Sequence, residues 1–281
     1  MHIHHVESGQ GHPIVLVHGW GADIRRNWVE TGWIAALEPV RHVVAMDSRG
    51  HGRSEKPHVQ KLYSYRAMGE DVLKVTDGLG IAKADLFGYS MGAFIAVALL
   101  GSHRDRFTSV IMGGIGDETP ETEAVRFVIA EALREPEPEG VTDRLGRAYR
   151  AYAGADPNND LEALALSALQ MWPEGHPLDL GGPELGKVDI PVLVVDGADD
   201  HPYVDTAERL IAAIPGATLV TIPGTDHHTV VADPRLKSAV LAFLAGDDGA
   251  ESHDMVPVTS PARGTRAERP RSGGRSRSGR R

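Results

Sequence analysis

A serine hydroxyl attacks a carbonyl at neutral pH only if a base takes its proton, and histidine can do so near pH 7. The histidine in turn needs a carboxylate on its other ring nitrogen, to fix the tautomer and stabilise the imidazolium. This chain offers all three residue types, each in a glycine-bearing loop that follows an apolar run. Ser90 lies in Gly88-Tyr89-Ser90-Met91-Gly92, between the apolar run 84–87 and the helix-forming run 93–100. Strand, sharp turn and helix in that order form a nucleophile elbow, which exposes the hydroxyl above a sheet. A Cβ at position 88 or 92 would collide with the neighbouring strand or helix, so both positions call for glycine. The acid candidates are Asp199 and Asp200 after the run 191–195, with Asp117 after the preceding strand as a third. The base candidates are His227 and His228, in Gly224-Thr225-Asp226-His227-His228.

Elements able to hold these residues together recur along the chain. Segments 2–7, 13–18, 43–46, 84–87, 108–112, 191–195 and 218–222 read as strands, the first two joined by a turn rich in Gly and Ser. Several are continuous apolar runs, which suits strands buried on both faces of a parallel sheet. In such sheets, sites form outside the carboxyl ends of the strands. Between the strands lie helical patterns. Met68, Val72, Val75 and Leu79 share one face of a helix opened by Ser64 and closed by Gly80. Val204, Ala207, Ile211 and Ile214 share another. Asp233-Pro234 reads as an N-cap with Pro at the first helical position, opening a last helix through Leu236, Val240 and Phe243.

From about 116 to 187 the texture changes to three successive helical stripes with no strand between them. Val125/Val128/Ile129/Ala132, Leu145/Ala148/Tyr149/Tyr152 and Leu161/Leu164/Ala165/Ala168 each recur at helical spacing. The organisation is therefore an α/β core over 1–115 and 188–246, a helical cap insertion over 116–187 and a tail over 247–281. The tail is polar, Arg/Ser/Gly-rich and of low complexity, which predicts disorder.

Composition narrows the function. The chain has 281 residues, no cysteine and a formal net charge of −10. Thiolate catalysis and cysteine-ligated zinc are excluded. The eight arginines of the tail leave the remainder more acidic still, which disfavours nucleic acid as a main partner. The first residues lack the pattern of a secretory signal, and no apolar run approaches a membrane span, so a cytoplasmic protein is expected. No phosphate-cradling glycine motif follows a strand, and His2, His4 and His5 lack further ligands at useful spacing. No cofactor and no metal are expected.

The series His18-Gly19-Trp20-Gly21, Asp47-x-Arg49-Gly50-x-Gly52-x-Ser54, Gly88-Tyr89-Ser90-Met91-Gly92, Gly197-Ala198-Asp199-Asp200 and Gly224-Thr225-Asp226-His227 resembles the α/β-hydrolase fold superfamily, closest to its small cap-bearing esterases, lactonases and carbon–carbon bond hydrolases. The resemblance covers about residues 2–246. It implies a mostly parallel, eight-stranded, doubly wound sheet. It favours Asp200 as the acid, three residues after the strand-end glycine, and His227 as the base, seven residues before Pro234. It also assigns the backbone N–H groups of Trp20 and Met91 to an oxyanion hole. His18, His51, Asp47 and Arg49 are expected to stabilise loops. The implied activity is cofactor-independent serine hydrolysis of a small, partly apolar acyl substrate. Carbon–carbon bond hydrolysis, perhydrolysis or a lyase reaction on the same fold is the first alternative, and a ligand-binding protein with a slow residual triad is the second.

Overall fold

The computed structural model describes residues 1–117, 123–171 and 176–246. The strands are β1 (His5–Ser8), β2 (Pro13–Val17), β3 (His42–Met46), β4 (Ala84–Tyr89), β5 (Phe107–Gly113), β6 (Val192–Gly197) and β7 (Thr218–Ile222). They form one sheet in the order β1-β3-β2-β4-β5-β6-β7, in which only the β1–β3 pair is antiparallel. Seven strands among the described residues is one fewer than the resemblance implied. The first strand also differs from the expectation over 2–7. It starts at His5, because residues 2–4 turn their backbone to the loop after β3. There the His4 carbonyl accepts from Asp47 N–H (2.9 Å), and the His4 N–H donates to Ser54 Oγ (2.8 Å). Although β1 and β2 are joined by a short turn, β3 lies between them.

Alternation along the strands divides the core in two. Val15, Val17, Val44, Leu86, Val110, Met112 and Val194 face one layer, shared with helices α2 (Tyr65–Gly78) and α3 (Met91–His103). Ile14, Leu16, Val43, Phe87, Ile111, Leu193 and Val195 face the other. They pack against Trp28, against Trp33 and Leu37 of α1 (Trp33–Leu37), and against Leu236 and Val240 of α9 (Pro234–Ala245). Helices thus cover both faces, as a buried parallel sheet requires. Helix α3 is buried from Met91 through Leu100, since it lies between the sheet and further helices. Capping follows the sequence: Ser64 accepts from Ala67 N–H at the start of α2, and Asp233 from Arg235 N–H at the start of α9.

Between β5 and β6 the chain forms α4 (Glu123–Arg134), α5 (Arg144–Gly154), α6 (Leu161–Met171) and α7 (Pro177–Gly181). Helix α4 packs on both α5 and α6. Helix α8 (Tyr203–Ala212) follows β6. No described helix is long and apolar enough to cross a membrane. The Arg-rich tail lies outside the described residues.

The loop after β3 is a buried polar knot. Asp47 accepts the N–H groups of Ile24 and Arg53 (both 2.8 Å). Arg49 pairs with Asp71 (2.6 Å) and donates to the carbonyls of Leu62 and Ala67. His18 donates from Nδ1 to the Gly19 carbonyl (2.8 Å) and accepts Ser48 N–H at Nε2 (3.0 Å), a pattern only the neutral ring can make. His51 stands against it, ring centroids 5.1 Å apart. Burial, reinforced by His18, pushes the His51 pKa from 6.5 down to about 3. The unfolded chain therefore takes up a proton at His51 more readily than the folded one. Its stabilising contribution is complete above the unfolded value of 6.5 and is lost as pH falls toward about 3. Between pH 7.5 and 5 the loss from this ring is about 2 kcal/mol, to be measured by urea unfolding at the two pH values, and His51→Asn is expected to flatten the dependence.

Candidate active site

Ser90 terminates β4 with φ 50° and ψ −115°, and it is the one non-glycine residue with positive φ among those described. Such a backbone costs of order 1–3 kcal/mol and persists only where the surroundings dictate it. Here they do. A Cβ at Gly88 would overlap the Gly92 carbonyl, and one at Gly92 would overlap the Val17 carbonyl. Strand, elbow and helix can approach this closely only with glycine at both places. Ser90 N–H donates to the Gly113 carbonyl (2.8 Å), and the Ser90 carbonyl accepts from Ala93 and Phe94 N–H (2.7 and 3.1 Å). The turn is thereby tied to β5 on one side and to α3 on the other.

The Ser90 hydroxyl lies 3.0 Å from His227 Nε2, and His227 Nδ1 lies 2.8 Å from Asp200 Oδ2. The Asp200 carboxylate is buried, with 2% of its side chain exposed, whereas the histidine keeps 24%. The two other acid candidates are elsewhere. Asp199 is exposed, and its N–H holds the Thr225 carbonyl (2.9 Å), joining the acid loop to the histidine loop. Asp117 engages Thr206 and His176 through its main chain. The competing base, His228, presents its ring to His227 edge-on at 5.7 Å.

Several residues that sequence reasoning did not single out hold the histidine. Tyr89, inside the elbow, donates its hydroxyl to the His227 carbonyl. Burial, then the negative charge of Asp200, raises the Tyr89 pKa well above its ordinary value, so the donor keeps its proton. Tyr203 stacks on the His227 ring at 5.0 Å. Gly114 lies beside the same ring, where a Cβ would meet it. Asp196, buried at the end of β6, accepts Ile115 N–H (2.9 Å). Burial, aided by the charge of Asp200, raises its pKa well above the carboxylate range, which favours the neutral acid.

The loop after β2 completes the site. Gly19 lies against Ser90, and its N–H donates to Asn27 Oδ1 (3.0 Å). Asn27 is another residue the motifs did not reveal. Trp20 and Met91 both border the cavity into which Ser90 opens, a space of about 570 Å³. The Trp20 indole reaches α6, donating to Ser167 Oγ (2.9 Å), and packs on Tyr149 of α5 (5.6 Å). The cavity lining also includes Arg26, Tyr149, Tyr152 and His228. Among the described residues no three His, Asp or Glu side chains converge as a metal site needs. The arrangement can pass a proton from Ser90 Oγ to His227 Nε2 while Asp200 holds the ring in the required tautomer.

Relieving the elbow is expected to stabilise the fold. Ser90→Gly frees the backbone strain but adds chain entropy to the unfolded state, leaving a net gain of about 1 kcal/mol over Ser90→Ala in thermal or urea unfolding. Gly92→Ala has the opposite outcome, loss of the folded protein, because the overlapping group is backbone.

Comparison with known proteins agrees with this architecture. A family model described as alpha/beta hydrolase fold matches residues 12–133. The chain is 35% identical over 263 residues to 2-hydroxymuconate semialdehyde hydrolase of Pseudomonas sp. (strain CF600), covering 87% of this chain and 90% of that protein. It is 26% identical over 259 residues to 2-hydroxy-6-oxo-6-(2'-aminophenyl)hexa-2,4-dienoic acid hydrolase of Metapseudomonas resinovorans, covering 86% and 87% of the two chains. Among solved structures, the enol-lactonase from Burkholderia xenovorans LB400 superposes with a TM-score of 0.70 at 26% identity, covering 86% of this chain and 96% of that one. The chain belongs to the alpha/beta hydrolase fold family and is a hydrolase of that fold.

Proposed function

We propose that the protein is a cofactor-independent serine hydrolase that cleaves a small carboxylic ester, lactone or thioester through an acyl-enzyme on Ser90. Ser90 Oγ attacks the acyl carbon as its proton passes to His227 Nε2. The carbonyl oxygen becomes an oxyanion, held by the main-chain N–H groups of Trp20 and Met91. As the intermediate collapses, the bond to the leaving group breaks and His227 returns the proton to it. Water then gives its proton to His227, attacks the acyl carbon and releases the acid, and the proton returns to Ser90.

The observation that carries this reading is the unbroken hydrogen-bond series Ser90–His227–Asp200, at 3.0 and 2.8 Å, opening into a cavity. A cavity of about 570 Å³ suits a small substrate. We read 116–187 as a cap that shapes it, supported by Ala148, Tyr149 and Tyr152 in its wall. The likeness to 2-hydroxymuconate semialdehyde hydrolase supports a second reading, carbon–carbon bond hydrolysis by the same residues.

Steady-state turnover of short aryl esters and of vinylogous diketones separates the two readings. The ester reading predicts the higher kcat/KM on esters, with a burst of alcohol equal to the enzyme present. Ser90→Ala and His227→Gln each lower kcat by about 10⁴-fold or more, and Asp200→Asn by a comparable factor. Ester turnover that survives Ser90→Ala contradicts both readings.

A further inference from the structure

Arg26 is a cation in the cavity wall, and among the described residues no anion is paired with it. Its neighbour Arg25 points elsewhere and pairs with Asp156 at 2.7 Å and with Glu30. Arg26 instead donates from Nη1 to the carbonyls of Gly21 (3.1 Å) and Tyr152 (3.4 Å), and its guanidinium lies over the Tyr152 ring, 4.6 Å from the centroid. Asp23 accepts the backbone N–H of Arg26 (2.7 Å), but among the described residues no carboxylate pairs with the Arg26 guanidinium. Two carbonyls and a ring face position the group, while neither cancels its charge. Nη2 and Nε remain as donors, the fork that matches a planar carboxylate.

The rest of the wall does not compete for that role. The Asp200 carboxylate is buried against His227. Asn27, the next residue, has a buried Nδ2 with no hydrogen-bond partner among the described residues, but it is neutral and cannot select for charge. Trp20, Tyr65, Phe94 and Tyr149 also line the cavity and add apolar surface. A ligand filling this space meets the Arg26 guanidinium as well as the Ser90 hydroxyl.

We propose that the substrate carries a free carboxylate besides the bond that is cleaved, and that Arg26 seats this carboxylate and selects for it. The inference rests on the cavity being the seat of an acyl substrate. The formal net charge of −10 repels anions from the molecule as a whole, so a preference for an anionic substrate has to come from a local group.

The test compares monomethyl esters of C5 to C8 dicarboxylic acids with the dimethyl esters of the same acids, followed by product formation in wild type, Arg26→Gln and Arg26→Lys. In wild type the best monoester is expected to exceed its diester in kcat/KM by about tenfold, chiefly through KM, because the carboxylate binds away from the reacting carbon. The ratio, which cancels any loss of folded enzyme, falls to about one or below in Arg26→Gln and is partly kept in Arg26→Lys. It also shrinks as salt rises, as an attraction between charges does. Equal or lower turnover of every monoester in wild type, or a preference that survives Arg26→Gln, overturns the proposal. Binding is read separately from turnover. The free diacids are expected to raise the Tm of Ser90→Ala and not that of the Ser90→Ala/Arg26→Gln double variant, and no shift in Ser90→Ala with any diacid also overturns it. If neither ester class is turned over while the diacids still shift Tm through Arg26, the hydrolase reading fails and the carboxylate subsite stands.

Discussion

The hydrogen bond between Ser90 and His227 spans 137 positions of sequence, and its 3.0 Å length leaves the scaffold little freedom. Strand register supplies the alignment. Tyr89 of β4 pairs with Gly113 of β5, Gly113 with Val195 of β6, and Val195 with Val220 of β7. Four parallel strands therefore end near one level, and the loops that follow them emerge side by side. A slip of one residue in any pair would turn every side chain of a strand to the opposite face and move its loop by a full residue rise. The apolar alternation that fills both layers of the core fixes the register, and in doing so sets the distance at the site.

Local devices convert that alignment into hydrogen-bond geometry. Gly88 and Gly92 let β4, the elbow and α3 approach closely enough to turn Ser90 upward. Tyr89 fixes the histidine loop by its carbonyl, Tyr203 supports the ring, and the Asp199–Thr225 backbone bond ties the acid loop to the histidine loop. Burial sets the electrostatics around them. His18 and His51 are held toward the neutral form, Asp196 toward the protonated form, and Arg49 is matched by Asp71. Arg26, by contrast with Arg49, is a guanidinium steadied by carbonyls and a ring face.

The candidate site was legible in the sequence to the extent that its signals are local. A glycine-flanked serine between an apolar run and a helix, carboxylates after a strand-end glycine and histidines after the last strand are all short-range patterns, while the preference for Asp200 over Asp199 and for His227 over His228 came from the family resemblance. Strand positions and caps were readable for the same reason, as at Ser64 and Asp233. What escaped depends on contacts distant in sequence. The pairing of β1 with β3 rather than β2 is decided by the loop at 47–55 capturing residues 2–4. The role of Tyr89 escaped because the carbonyl it holds lies 138 residues away. Asn27 and Arg26 belong to no motif, and only the folded loop brings them to the cavity. Trp20 was marked for its backbone, and its indole serves to join the β2 loop to α6.

The account stands on Ser90 being an activated nucleophile rather than a polar residue in a tight turn. Intact mass and peptide mapping after exposure to a fluorophosphonate measure this most directly. The account predicts a single phosphonyl adduct on the peptide that contains Ser90, formed quickly in wild type and at least about a thousandfold more slowly in His227→Gln, in line with loss of the general base. An adduct at another residue, no adduct, or a rate indifferent to His227 would contradict it.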